Sequence, residues 1–224
     1  MQLTPPNEIL NMPILNQSSF PLLWEIFQYS IGGSIDKQKL YTKDIQNPTN
    51  LLEVGCSLGN ITPAFLKFEN ISYTGIDIDP IVIEHAKQRF SNKNNVEFIC
   101  DDLRDYAKQT LVKYDHILFA GICHHINDEL LIDLLSSSSE ILTQDGVLII
   151  IDPLLPTAED SWFMHKYAKH LEQGQFLRKH EKMLSLIDSI EKYDLIKSEV
   201  SFIGATPLSW PRCFRFGTYV LKVN

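Results

Sequence analysis

Several protein classes are excluded by what this chain lacks. Its four cysteines, Cys56, Cys100, Cys123 and Cys213, show no C-x-x-C spacing, so buried reduced thiols of a cytosolic protein are expected. No run approaches the roughly 18 apolar residues that cross a bilayer. The opening residues, MQLTPPNEIL, have neither the basic start nor the apolar core of a secretory leader. A cytoplasmic protein without a membrane partner is the expectation. Basic residues number 20 against 28 acidic ones, a formal charge of −8, and they form no cluster. Nucleic acid is therefore not an expected partner. Internal repeats and disordered tracts are also missing. What remains is a chain of 224 residues, 44% hydrophobic and 21% charged, which suits one globular domain with a full core.

The most informative stretch is Leu51 to Pro80, LLEVGCSLGNITPAFLKFENISYTGIDIDP. Leu51 to Val54 reads as a short buried strand. It runs into Gly55-Cys56-Ser57-Leu58-Gly59-Asn60, a turn whose glycines let backbone approach a ligand closely. A helix is expected from Ile61 to Phe68, with Pro63 tolerated in its first turn. A second strand, Ser72 to Ile76, ends on Asp77. In such units the ligand sits at the carboxyl ends of the strands, and an acid at the second strand's tip takes ribose hydroxyls.

Strands and helices go on alternating, the pattern of a parallel sheet covered on both faces. Pro80 to Phe90 reads as a helix with Asp79 as N-cap and Pro80 in its first position. Val96 to Cys100 is a third strand, followed by Asp101-Asp102-Leu103. Tyr114 to Ala120 is a fourth, ending in Gly121-Ile122-Cys123-His124-His125. Asp128 to Leu142 is helical, and Gly146 to Ile151 is an apolar fifth strand of the kind buried on both faces. From Asp152 the rhythm changes. Pro153 and Pro156 interrupt, and Glu159 to Ile190 holds two or more helices where one would suffice. Two antiparallel strands, Lys197 to Gly204 and Phe214 to Val223, close the chain. Ahead of the first strand, large apolar groups at helical spacing mark a helix over Ser19 to Ile31, and a more polar one is expected over Asp36 to Ile45.

The spacing within the glycine turn separates cofactor classes. A dinucleotide fingerprint places glycines as G-x-G-x-x-G. Here small residues fall at every second position, Gly55, Ser57 and Gly59, with Glu53 two places before the first. That run resembles motif I of the class I S-adenosylmethionine (SAM)-dependent methyltransferases, with Ser57 standing where the family most often has its middle glycine. The resemblance covers Leu51 to Ile151 firmly and the flanks loosely. It implies a Rossmann-like α/β fold: a seven-stranded, mostly parallel sheet with helices on both faces and its last strand antiparallel. It implies SAM as cofactor and S-adenosylhomocysteine (SAH) as product. Four regions are expected within one domain: a helical cap (1–46), a SAM-binding core (47–152), a helical lid (153–192) and a C-terminal strand pair (193–224).

By the same resemblance, Glu53, Gly55, Cys56, Ser57 and Gly59 form the cofactor floor, and Asp77 holds the ribose. Ile78 lies against the adenine, Asp102 bonds its amino group, Leu103 offers its backbone, and Ala120 lies where the fourth strand passes the methyl group. His124 and His125 are candidates for a general base, since imidazole titrates near neutrality; packing is the competing role for each. Trp24 and Tyr29 from the first helix, with Trp162 and Tyr167 from the insertion, are candidates to roof a substrate pocket. Each suits the core face of an amphipathic helix equally. No set of ligands with metal spacing surrounds the histidines, so no metal is expected. The reading is a methyltransferase acting on an O, N or C nucleophile of a small molecule, as monomer or homodimer. A SAM-binding regulator without transfer, a protein methyltransferase and a NAD-binding oxidoreductase stay open as alternatives.

Overall fold

In a computed structural model of the protein, the residues described are 34–162, 164–166, 174–204 and 212–224. The expected helix over Ser19 to Ile31, with Trp24 and Tyr29, lies outside them, as does Tyr167. In chain order the elements are α1 (Ser34–Thr42), β1 (Asn50–Val54), α2 (Thr62–Phe65), β2 (Ser72–Asp77), α3 (Pro80–Arg89), β3 (Val96–Cys100), α4 (Leu103–Gln109) and β4 (Tyr114–Ala120). They continue as a short 3-10 turn (Cys123–His125), α5 (Asp128–Ile141), β5 (Leu142–Pro153), α6 (His180–Asp188), β6 (Tyr193–Gly204) and β7 (Arg212–Val223).

The seven strands form one sheet in the order β3-β2-β1-β4-β5-β7-β6. β1 pairs in parallel with β2 and β4, β2 with β3, and β4 with β5. β7 runs antiparallel to both of its neighbours, β5 and β6. The chain leaves β1 toward β2 and β3, then returns to β4 on the other side of β1. That reversal opens a crevice at the carboxyl ends of β1 and β4, where ligands bind in open α/β sheets.

Alternation along the central strands builds two cores. Leu52, Val54, Leu148 and Ile150 face one layer with Leu103, Leu131, Leu135 and Met183 of α4, α5 and α6. Leu51, Leu118, Ile149 and Ile151 face the other, with Tyr41, Phe65, Ile83 and Ala86 of α1, α2 and α3. Both faces of β1, β4 and β5 are thus covered, which explains their near-continuous apolar sequence. The serine run of α5 fits the buried face because the Ser138 hydroxyl donates to the Leu134 carbonyl one turn back, at 2.8 Å.

Several boundaries differ from expectation for local reasons. α1 starts two residues earlier and stops at Thr42. α2 has four residues instead of reaching Phe68, and Asn70, at φ 60°, turns the chain into β2. β5 begins at Leu142, directly after α5, through an irregularity in its pairing with β4 between Tyr114 and His116. α4 was not expected at all. It buries only Leu103 and Ala107, too sparse a stripe to register as a helical period.

The lid reading of 153–192 requires a correction in its second half. α6 buries Met183, Leu186 and Ile187 in the same core as Leu134 and Leu135 of α5. It is a connecting helix of the sheet's outer layer, placed there by its own apolar stripe. Trp162, offered as roof, is 71% exposed, and the Lys166 ammonium lies 4.6 Å from its ring centre.

Candidate functional site

The glycine turn after β1 is wound through the left-handed region three times, at Gly55 (φ 72°), Ser57 (φ 50°) and Gly59 (φ 69°). This is the alternation read in the sequence, and it turns the loop's backbone back under β2. A Cβ on Gly55 would stand 2.3 Å from Ile122 Cδ1, so the loop after β4 packs directly on the loop after β1. The Gly55 and Cys56 amides donate to the Ile76 carbonyl at 2.8 and 3.2 Å. Cys56 sends its side chain into the core, 2% exposed, with its thiol donating to the Ser57 carbonyl at 3.8 Å.

Asp77 closes this cradle. Its carboxylate accepts the Ser57 amide at 2.9 Å and the Asp79 amide at 3.0 Å. Burial raises its pKa above the ordinary carboxylate value, against the lowering effect of these bonds. Next to it, Ile78 is 74% exposed, an aliphatic side chain beside an acid at the tip of a central strand. A flat apolar ring and a diol would meet both. These residues fit SAM: three left-handed positions form a close-approach loop, an acid stands at the tip of β2, and a bare aliphatic side chain lies beside it.

Glu53 lies deeper than a ligand floor. It is 2% exposed and takes a short hydrogen bond from the Tyr73 hydroxyl, which in turn accepts from Thr62 Oγ1 at 3.0 Å. Burial pushes the Glu53 carboxyl up to about 8, and the nearby Asp77 charge adds to the shift. The network ties β1, β2 and the start of α2 together beneath the loop.

Asp102 is engaged locally. It caps α4 through the Arg104 amide at 2.9 Å and takes the Arg104 guanidinium at 3.0 and 2.6 Å. That pairing holds its carboxyl below the usual range. Leu103 is buried, and Ala120 is half-buried at the end of β4.

The two histidines differ sharply. His124 is 6% exposed, and its Nδ1 lies 3.0 Å from Asp152 Oδ1. Asp152, 3% exposed at the end of β5, also accepts the Cys123 amide at 3.0 Å. A carboxylate can only accept, so Nδ1 carries the proton and Nε2 is the acceptor nitrogen. His125 is exposed, with its ring 4.0 Å from that of His124. Sequence reading raised both histidines and missed Asp152. Its signal was present: a charged residue directly after five apolar ones, at the carboxyl end of a doubly buried strand. It also missed Tyr41, whose hydroxyl would lie 3.6 Å from a Cβ on Gly121, and gave no role to Arg178, buried behind the His124 turn.

Residues 52–148 match the family described as methyltransferase domain. The chain is 28% identical over 171 residues to malonyl-[acyl-carrier protein] O-methyltransferase 2 of Ilyobacter polytropus, covering 73% of this chain and 62% of that protein. It is 34% identical over 106 residues to malonyl-[acyl-carrier protein] O-methyltransferase of Acetivibrio thermocellus, covering 47% and 36%. The chain thus spans less than two thirds of the length of these relatives. Human N-acetylserotonin methyltransferase, solved with SAM, superposes with a TM-score of 0.68 at 17% identity, over 98% of this chain and 60% of that one. The central stretch of the chain is thus similar to the methyltransferase domain, and its fold is that of solved SAM-dependent methyltransferases. Among the described residues no helix is long and apolar enough to cross a membrane.

Proposed function

We propose that this protein transfers a methyl group from SAM to a hydroxyl oxygen of a small organic molecule. The observation that carries the choice of acceptor is the buried His124–Asp152 pair, at the end of the two strands beside the cofactor crevice. When bound, SAM supplies a sulfonium methyl, electrophilic without further activation. The loop from Gly55 to Gly59 would hold its methionyl part, Asp77 the ribose, and Ile78 the adenine. The Asp102 carboxylate, although occupied by Arg104, stands beside Leu103, whose backbone would meet the adenine edge.

The chain's own chemistry then concerns a proton. A neutral hydroxyl is a weak nucleophile, and its proton must leave as the oxygen–methyl bond forms and the sulfur–methyl bond breaks. His124 Nε2 receives that proton, while Asp152 fixes the tautomer and stabilises the imidazolium. Burial of the pair excludes water that would compete for the same position. A thioether or a carbon already carrying negative charge would need no such base. That two relatives are named malonyl-[acyl-carrier protein] O-methyltransferases supports an oxygen acceptor. A malonyl carboxylate would need no base, so the choice of a hydroxyl rests on the buried pair alone. The acidic balance of the chain supports a small molecule over a nucleic acid.

Calorimetric titration with SAH, beside Asp77→Ala, tests the cofactor site. Transfer from methyl-labelled SAM to a panel of hydroxylated small molecules, beside His124→Gln, tests the base. Absence of SAH binding by the unmodified protein would sink the whole reading. Undiminished transfer by His124→Gln would sink the base alone.

A further inference from the structure

Arg178 has no part in the cofactor site or in the proton transfer, yet it carries a charge with a side chain only 5% exposed. A buried guanidinium is costly unless each of its donors is met. Here Nη1 donates to the Cys123 carbonyl at 2.6 Å and the Phe176 carbonyl at 3.2 Å, Nη2 to the Ile126 carbonyl at 2.7 Å, and Nε to Asp128 Oδ1 at 2.8 Å. Two of those carbonyls flank His124 and His125 on the 3-10 turn. Its backbone is held from the other side: the Leu155 amide donates to the Arg178 carbonyl at 2.9 Å, three residues beyond Asp152. One residue is therefore bonded to both segments that carry the His124–Asp152 pair.

The residues just before it repeat the contact. The Phe176 amide donates to the His124 carbonyl at 2.9 Å. Gly174 packs against His124, so close that a Cβ there would stand 2.1 Å from His124 Cδ2. From Gly174 to Arg178 the chain thus forms a strap across the back of the His124 turn. Arginine suits the end of this strap because its planar fork reaches acceptors in three directions, whereas lysine has one ammonium on a flexible stem.

We propose that Arg178 is a positioning residue for methyl transfer: it locks the turn after β4 against the end of β5, so that His124 keeps the rotamer and tautomer set by Asp152. The inference rests on the assignment of His124 as base. It also gives the segment after β5 a definite task, which is to hold the base from behind.

The test needs no acceptor. In the full chain labelled with nitrogen-15 at histidine and saturated with SAH, the His124 Nδ1–H bonded to Asp152 should give a downfield proton signal protected from exchange. Arg178→Met and Arg178→Lys should lose that signal while SAH affinity is retained, with Lys, which can meet one carbonyl, restoring at most a broadened fraction. An unchanged signal in folded Arg178→Lys overturns the proposal. So does loss of SAH binding together with the signal in both variants, since that would assign Arg178 to folding alone. The two readings fail separately. Undiminished methyl transfer by His124→Gln removes the base, whereas an intact imidazole signal in Arg178→Lys removes only the positioning role.

Discussion

His124 and Asp152 lie 28 residues apart in the chain, and their side chains meet at 3.0 Å, both almost wholly buried. His124 sits on the 3-10 turn that follows β4 and Asp152 at the end of β5, two strands whose parallel register places Ala120 beside Ile151. Asp152→Asn keeps the shape of this contact but allows the amide to donate, which favours the wrong imidazole tautomer. Methyl transfer to the hydroxyl acceptor should fall by about 10²-fold or more, within the ~10² to 10⁴ that general bases contribute. SAH affinity, measured by calorimetry, should stay that of the unmodified protein. Equal turnover in Asp152→Asn would show that the pair is only structural.

Asp77 should make cofactor binding depend on pH. Its pKa is raised above 3.8 by burial, so protonation begins at a higher pH than for an exposed aspartate. A protonated carboxyl loses the charge-assisted bonds to ribose, so SAH affinity should fall as pH falls through the raised value. Asp77→Asn should bind about 10- to 100-fold more weakly, the equivalent of ~1.5–3 kcal/mol for hydrogen bonds to a charged group. Its affinity should also be flat over the acidic range. Titrations at several pH values decide; a wild-type slope surviving in the variant would point to another group.

Glu53 predicts the opposite slope for stability. Its pKa rises from 4.5 unfolded to about 8 folded, so between those values the folded state holds a proton that the unfolded chain has released. Stability is therefore fully present below the unfolded value and is lost as pH rises through the folded one. Glu53→Gln keeps an acceptor for the Tyr73 hydroxyl and cannot ionise. Thermal melts should show the variant gaining on the unmodified protein as pH increases, and parallel melting curves across the range would contradict this.

Gly55 and Gly121 share left-handed backbone, at φ 72° and 69°, but differ in space. A Cβ on Gly121 has its nearest neighbour at 3.6 Å, whereas on Gly55 it would meet Ile122 Cδ1 at 2.3 Å. Gly121→Ala should cost only the backbone strain of about 1–2 kcal/mol. Gly55→Ala should cost that plus overpacking of roughly 1–3 kcal/mol, with weakened SAH binding. Adding Ile122→Ala to Gly55→Ala should return part of the loss in denaturant melts. Equal costs for the two single substitutions would show that the overlap relaxes freely.

The sheet, the loop and the acid at its edge could be read directly from the order of residues. Local rules suffice there: apolar runs give strands buried on both faces, alternate small residues permit a left-handed loop, and Asp79 with Pro80 starts a helix wherever it stands, as its bond to the Ile81 amide at 2.9 Å shows. Asp77 and the glycines were legible because one short segment holds them all. Tertiary structure alone decided which histidine is oriented, since Asp152 reaches His124 only through the pairing of two distant strands. It decided that Arg178 stands behind that turn, that α6 belongs to the sheet's outer layer, and that Glu53 lies beneath the loop. Partners far apart in sequence leave no period or spacing to read; their meeting is set by strand register and by which faces the core buries.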